Sequence, residues 1–271
     1  MKQATKALLQ KLGIHKKGLL EVLRLPLQSS TIFLSGSVVE GYGSSESDLD
    51  VYIPYAQDTL LAGTCFNFET IVFSSEHRTE RRLDIESWST KDLLAVADLI
   101  NRCSLHNIEE CLSLQPYLIV LAHNILTGIP LQDEERFQHI QQAFDEKQLS
   151  QILLQRFLAA YKSIAEDIAG AMSARHYGIT LLLSRLVVQL AIDALLASHG
   201  ETNSKEKWHF HNLEKFGDTE LLQCYWTLET PRIEQPEDIL QHAKACLLFA
   251  REIIETVQKA DVQLLYTTFG R

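Results

Sequence analysis

Between Phe33 and Ile53 the chain reads Phe-Leu-Ser-Gly-Ser-Val-Val-Glu-Gly-Tyr-Gly-Ser-Ser-Glu-Ser-Asp-Leu-Asp-Val-Tyr-Ile, and this passage restricts the fold more than any other. Ile32, Phe33 and Leu34 are apolar and end at Gly36-Ser37. A loop rich in Gly and Ser follows, and a second apolar run, Val51-Tyr52-Ile53, resumes after Asp48-Leu49-Asp50. Side chains alternate between faces of an extended chain, so Asp48 and Asp50 point one way while Leu49 and Val51 point the other. Two carboxylates one strand step apart, beside a loop with many backbone N–H groups, have the chemistry of a magnesium-and-phosphate site.

The same alternation recurs in Arg82-Leu-Asp-Ile-Glu-Ser-Trp88. Leu83 and Ile85 take the core face there, and Asp84 and Glu86 share the other. Gly36 permits close approach of backbone to phosphate, and Ser37 offers an N–H and a hydroxyl. Ser47 can orient Asp48 or contact phosphate, whereas Ser44 and Ser45 read as plain loop residues. Arg81 and Arg82 stand where a guanidinium could meet a phosphate or brace a carboxylate. With His77, Arg78 and Glu80 beside them, a mixed surface turn is the plainer reading.

Around this passage the predicted elements fall into two kinds. Lys2–Leu23 has helical spacing, with Leu8, Leu9, Leu12, Leu19, Leu20 and Leu23 on one face. Strands are predicted at Thr31–Ser35, Asp50–Pro54, Asn67–Ser74 and Arg82–Trp88, with a short helix opening at Ser37. From Ser89 onward the pattern is helical: Lys91–Ile100, Ile108–Leu126, Asp133–Asp145, Leu149–Ala174, Gly178–Ser198, Thr219–Leu228 and Pro236–Thr256. The division expected is an α+β domain over 1–95, a mixed sheet with flanking helices, followed by an all-helical bundle domain over 96–271.

A formal net charge of -10 argues against a partner held mainly through phosphate neutralisation, such as duplex DNA or tRNA. Five scattered cysteines (Cys65, Cys103, Cys111, Cys224, Cys246) without a C-x-x-C pair point away from a disulfide framework or zinc site. Reduced thiols in a cytoplasm are the expectation. Met1–Leu20 carries several lysines and lacks an apolar core, and Arg185 and Asp193 break the apolar run Leu181–Ala197, so neither a signal peptide nor a membrane span is expected.

The order Gly36-Ser37, Gly41 or Gly43, then Ser47-Asp48-Leu49-Asp50 resembles the signature of the DNA polymerase β-type nucleotidyltransferase superfamily. The resemblance implies a polymerase β-like mixed sheet and a third carboxylate on a later strand. It implies two Mg²⁺ ions on Asp48, Asp50 and Asp84, and ATP as the nucleotide substrate. Glu86 is then a supporting group or the general base, and the spacing leaves both open. AMP would pass to a hydroxyl of a small-molecule acceptor with release of pyrophosphate. Small superfamily members that modify aminoglycoside and lincosamide antibiotics are similar in size and carry a helical domain after the catalytic one, with the acceptor between the two. The stretch Ala191–Trp208 loosely resembles a long helix, Gly stop and Lys-containing loop of those helical domains. It implies Lys205 and Lys207 as triphosphate contacts, against the plainer reading of solvated loop lysines. A protein or tRNA acceptor, or nucleotide sensing without turnover, are the alternatives.

Within the helical half, Arg185, Gln189 and Asp193 are four residues apart and share one stripe, facing water, another polar helix or a binding cleft. Glu166 and Asp167 read as a solvated helix face before acceptor contacts. Trp208-His209-Phe210-His211 with Tyr225 and Trp226 reads as core packing before ring stacking, and two histidines without a third ligand make a weak metal site.

Overall fold

In the computed structural model, the described residues are 2–23, 31–44, 46–55, 66–74 and 80–269, with side chains over 5–23, 31–44, 46–55 and 82–259. Helices α1 (Lys2–Lys11) and α2 (Lys16–Val22) precede strand β1 (Ile32–Ser35), helix α3 (Ser37–Glu40) and strand β2 (Leu49–Tyr55). Strands β3 (Phe66–Ser74) and β4 (Glu80–Ser89) lead into α4 (Thr90–Arg102), α5 (Ile108–Ser113), α6 (Pro116–Thr127), β5 (Ile129–Gln132) and α7 (Glu134–Gln142). Then come α8 (Glu146–Ser173), α9 (Tyr177–Ser198), α10 (His209–Phe216), α11 (Thr219–Glu229) and α12 (Pro236–Phe269).

The strands form one mixed sheet in the order β3-β4-β2-β1-β5, in which only the β2–β4 pair is parallel. Period-two alternation gives the sheet two distinct faces. Leu49, Val51, Ile53, Leu83 and Ile85 join Ile32 and Leu34 on one face, buried with Leu9, Ile14, Leu19 and Leu23 from α1 and α2. Phe33 and Tyr52 take the other face, stacked with ring centroids 4.8 Å apart, and Phe137 of α7 lies 4.6 Å from Phe33. Asp50, Asp84 and Glu86 belong to this second face.

All four predicted strands are present, with ends shifted by one or two residues. The expected single helix over Lys2–Leu23 is two helices, because Gly13 turns left-handed (φ 64°) and Ile14 N–H donates back to Leu9 O at 2.9 Å. Ile108–Leu126 is likewise two helices. Leu114 is extended, and Pro116, which has no N–H to donate, opens α6. Gln141 caps the far end of α6, its amide donating to the carbonyls of Ile125, Leu126 and Gly128 at 3.0, 2.9 and 3.4 Å.

β5 was not anticipated. It is short, carries Pro130 and lies at the sheet edge, the place where a strand tolerates a missing donor. Its carbonyls are capped from the N-terminal helices: Thr5 Oγ1 donates to Pro130 O at 3.0 Å, and Lys16 Nζ to Leu131 O. This strand also explains why the boundary is not a single cut at 95/96. The chain divides into one unit of Met1–Arg102 with Gln115–Asp145 and another of Cys103–Leu114 with Glu146–Arg271. The segment 115–145 returns to the first unit because β5 pairs with β1 and α6 and α7 pack against the sheet side of that unit.

Gly128 sits at the α6–β5 corner, where an added Cβ would lie 2.7 Å from Phe33 Cδ2 and 2.9 Å from Asn124 O. Gly128→Ala is expected to destabilise the protein by about 1–3 kcal/mol through overpacking. A thermal midpoint equal to wild type would show that this corner can yield.

The second unit is helical throughout. α9 packs along α8 and α12, and its residues Leu190 to Ala197 are all buried. Among the described residues it is the one helix long and apolar enough to cross a membrane, and 61% of its most apolar window is covered by protein. Arg156 of α8 closes the C-terminal end of α5, its Nη1 donating to the carbonyls of Cys111, Leu112 and Leu114 at 2.6, 3.2 and 3.0 Å. Cys103, Cys111, Cys224 and Cys246 are free thiols; Cys65 lies outside the described residues.

Candidate active site

The site begins where β1 turns into α3. Gly36 has φ 78° and ψ −168°, a combination that only glycine adopts without strain. A Cβ at Gly36 would lie 2.8 Å from Asp50 Cγ and nearer still to Oδ2. The Asp50 carboxylate therefore rests directly against the Gly36 backbone, in the space that a side chain would fill. Register explains this contact, because Ser35 of β1 is the antiparallel partner of Asp50 on β2. Ser37 begins α3 and is half-buried; its carbonyl accepts from the N–H groups of Tyr42 and Gly43, both at 2.8 Å. Glu40, at the end of α3, pairs with the buried His123 of α6 at 3.2 Å, which ties the turn to the helix above it.

Ser47 shapes the loop that precedes β2. Its Oγ accepts from Ser44 N–H at 2.9 Å, and Ser44 Oγ accepts from Glu46 N–H at 3.2 Å. Ser45 lies outside the described residues, as do His77 and Arg78, and the side chains of Glu80 and Arg81.

Parallel pairing of β2 with β4 sets Asp50 opposite Asp84 and Tyr52 opposite Glu86. Asp48 stands just ahead of β2. One guanidinium spans the outer pair: Arg82 Nη2 donates to Asp48 Oδ2 and, at 3.2 Å, to Asp84 Oδ2, while Arg82 Nε pairs with Asp84 Oδ1 at 3.2 Å. Asp84 first, then Asp48, pushes the Arg82 pKa above its ordinary value. Arg82 therefore braces carboxylates, one of the two roles its position suggested, and is not merely part of a surface turn.

Glu86 lies one strand step further in and is differently held. Its Oε1 accepts from the Tyr52 hydroxyl and its Oε2 from the Trp88 indole N–H, each at 3.3 Å. Asn124 of α6 donates to the Tyr52 oxygen at 2.6 Å. Burial, then the charges of Glu86 and Asp50, push the Tyr52 phenol well above its ordinary pKa, so it stays a neutral donor. Of these partners, Tyr52 was legible as the next residue on the Asp50 face, whereas Asn124 and His123 come from a helix 70 or more positions away and gave no local signal.

Magnesium suits this donor set, since it prefers carboxylate oxygen and keeps positions for phosphate and water. Asp48 and Asp84 already converge on a cationic group, the guanidinium of Arg82. Asp50 is directed at Gly36. Among the described residues, no three His, Cys, Asp or Glu side chains gather as a metal centre in this arrangement.

Lys205 and Lys207 belong to the helical unit. Lys205 precedes the 3₁₀ turn Glu206–Trp208, its N–H donating to Asn203 Oδ1 at 3.2 Å, and the Lys207 ammonium lies 4.9 Å from the Trp208 ring centroid. The polar stripe of α9 meets two other helices. Arg185 and Gln189 bond Glu229 of α11, with Arg185 Nη2 at 2.8 Å, and Asp193 accepts from His209 Nε2 of α10 at 2.7 Å. His209 Nδ1 lies 3.0 Å from the Tyr225 hydroxyl, and all three groups are buried. His209 and Tyr225 are thus core packing, with Phe210 half-buried against Tyr225, whereas Trp226 is exposed, as are Glu166 and Asp167. Asp193→Asn keeps the size of the side chain but weakens a buried bond, with an expected loss of about 1–3 kcal/mol in denaturant unfolding. An unchanged midpoint would mean the buried network is already neutral there.

No protein-family model and no curated protein sequence matches this chain. Among solved structures, it is similar to a nucleotidyltransferase-like protein from Exiguobacterium sibiricum 255-15, with 11% identity and a TM-score of 0.46 over 99% of this chain and 79% of that one.

Proposed function

We propose that this protein is a nucleotidyltransferase that moves AMP from ATP onto a hydroxyl of a small acceptor and releases pyrophosphate. The observation that carries this reading is the pairing of Asp50 with Asp84 across adjacent parallel strands, with the Asp50 carboxylate seated on Gly36 at the mouth of the Gly-Ser turn. Asp48, Asp50 and Asp84 are the residues that would hold two magnesium ions. When bound, magnesium neutralises triphosphate charge and makes the α-phosphorus easier to attack.

The chain's own groups do the rest by positioning. Gly36 and Ser37 bring backbone close to the phosphates, because no side chain intervenes. Ser47 holds the loop that carries Asp48. Glu86, with both oxygens engaged by Tyr52 and Trp88, serves as the supporting carboxylate that fixes the β2–β4 face and its aspartates.

Pyrophosphate release tests the reading, measured with magnesium, each of the four nucleoside triphosphates and a panel of hydroxylated small molecules. Turnover with ATP that disappears in Asp50→Asn is the expected result. Label transferred instead to a macromolecule would move the acceptor to protein or tRNA. Nucleotide binding with no turnover on any acceptor would replace transfer by sensing. Within the active enzyme, Glu86→Gln should lower kcat about tenfold and leave nucleotide affinity unchanged, the usual scale for a group that supports a ligand. A loss near a thousandfold would instead make Glu86 the general base.

A further inference from the structure

Resting on the nucleotidyltransferase reading, we infer that Arg82 is an exchangeable internal cation: it holds the Asp48–Asp84 position when no divalent ion is bound and gives it up to the ion, turning to the nucleotide phosphates. Three features of the site lead there. First, one guanidinium satisfies both carboxylates at once, through Nη2 and Nε. Facing carboxylates repel without a cation between them, and this bridge places one there. Second, an arginine N–H and a metal ion compete for the same oxygen lone pairs, and magnesium tolerates little distortion of its octahedron. The two occupants therefore exclude each other. Third, the Arg82 side chain is 52% exposed while that of Asp84 is 16% exposed. The guanidinium can leave toward solvent without disturbing the core, and the carboxylate cannot.

The released side chain does not go far. Arg82 lies on β4 two residues before Asp84, so its guanidinium remains beside any phosphate held by the ion, and planar bidentate pairing with phosphate is its preferred geometry. Metal and nucleotide then assist each other. The ion frees the arginine for phosphate, and the phosphate removes the arginine from the ion's ligands. Reciprocity of binding free energies requires that the effect be equal in both directions.

Mn²⁺ binding to the full chain, followed by the EPR signal of free Mn²⁺, tests the exchange without catalysis. Wild type, Arg82→Gln and Arg82→Lys are compared with and without a non-hydrolysable ATP analogue. Without nucleotide, Arg82→Gln should bind Mn²⁺ about fivefold tighter than wild type, the worth of an exposed ion pair removed from competition. Arg82→Lys should stay near wild type. The analogue should tighten Mn²⁺ binding in wild type, and tighten it less in Arg82→Gln. Equal or weaker Mn²⁺ binding by Arg82→Gln, with wild type binding normally, overturns the exchange and makes Arg82 a fixed clamp. Absence of Mn²⁺ binding in all three proteins, with and without the analogue, overturns the nucleotidyltransferase reading and the exchange with it. A thermal midpoint for Arg82→Gln within a few degrees of wild type confirms that the comparison is between folded proteins.

Discussion

Asp48→Asn and Asp50→Asn should each reduce pyrophosphate release by about a thousandfold or more, the scale expected when the ions that would neutralise the transition-state charge lose a ligand. The expected effect on stability is small and separates a chemical role from a structural one. Asp50 faces Asp84 across the β2–β4 pair, so neutralising either one relieves repulsion where no cation is bound. Asp48 gives up its contact with Arg82, a solvent-exposed pair of the kind that contributes little to stability. Thermal unfolding followed beside activity therefore shows a midpoint near wild type with turnover lost. Full activity in either variant would remove that carboxylate from the site, and a collapse of the fold would make it structural.

The sheet was legible because β2 and β4, two of its three inner strands, alternate over Leu49–Ile53 and Leu83–Glu86. Leu49, Val51 and Ile53, then Leu83 and Ile85, announce a buried face, and the aspartates between them must take the other. The three candidate carboxylates and Glu86 follow from that alternation without knowledge of which strands pair. Pairing itself was out of reach. That β4 lies parallel to β2 in the register Asp50–Asp84 depends on β3 taking the sheet edge and β4 the place between β3 and β2, and no local pattern encodes this. The same limit hid β5, whose four residues include a proline and resemble a turn until β1 supplies a partner. Arg82 shows the boundary between the two cases. Its position two residues before Asp84 places both on one face, so that contact could be read. Its second contact, with Asp48, needed the register. In the helical unit, the stripe of Arg185, Gln189 and Asp193 was visible as a spacing, but its partners Glu229 and His209 lie on helices brought in by tertiary packing.

Gly36→Ala tests the contact that only the fold could show, and its expected effect on turnover is a fall of at least a hundredfold. Two costs combine at this position. With φ 78° and ψ −168°, a residue bearing a Cβ is strained by about 1–3 kcal/mol, because this region is open essentially to glycine alone. The same Cβ would overlap the Asp50 carboxylate, lying 2.8 Å from Cγ, so either the carboxylate or the turn must move. Asp50 cannot retreat along its strand, since Ser35 on one side and Asp84 on the other fix its register. The side chain must swing away from the turn, or the turn away from the side chain, and misplacement by about 1 Å costs about a hundredfold in a reaction that depends on alignment. Stability and activity measured together distinguish the sources. Backbone strain alone lowers the unfolding midpoint and leaves the turnover of the folded fraction intact, whereas displacement of Asp50 lowers turnover well below the folded fraction. Gly36→Ala with wild-type turnover per folded molecule would show that the Asp50 carboxylate has no need of its seat on the Gly-Ser turn, and would take away the observation on which the assignment of transfer chemistry rests.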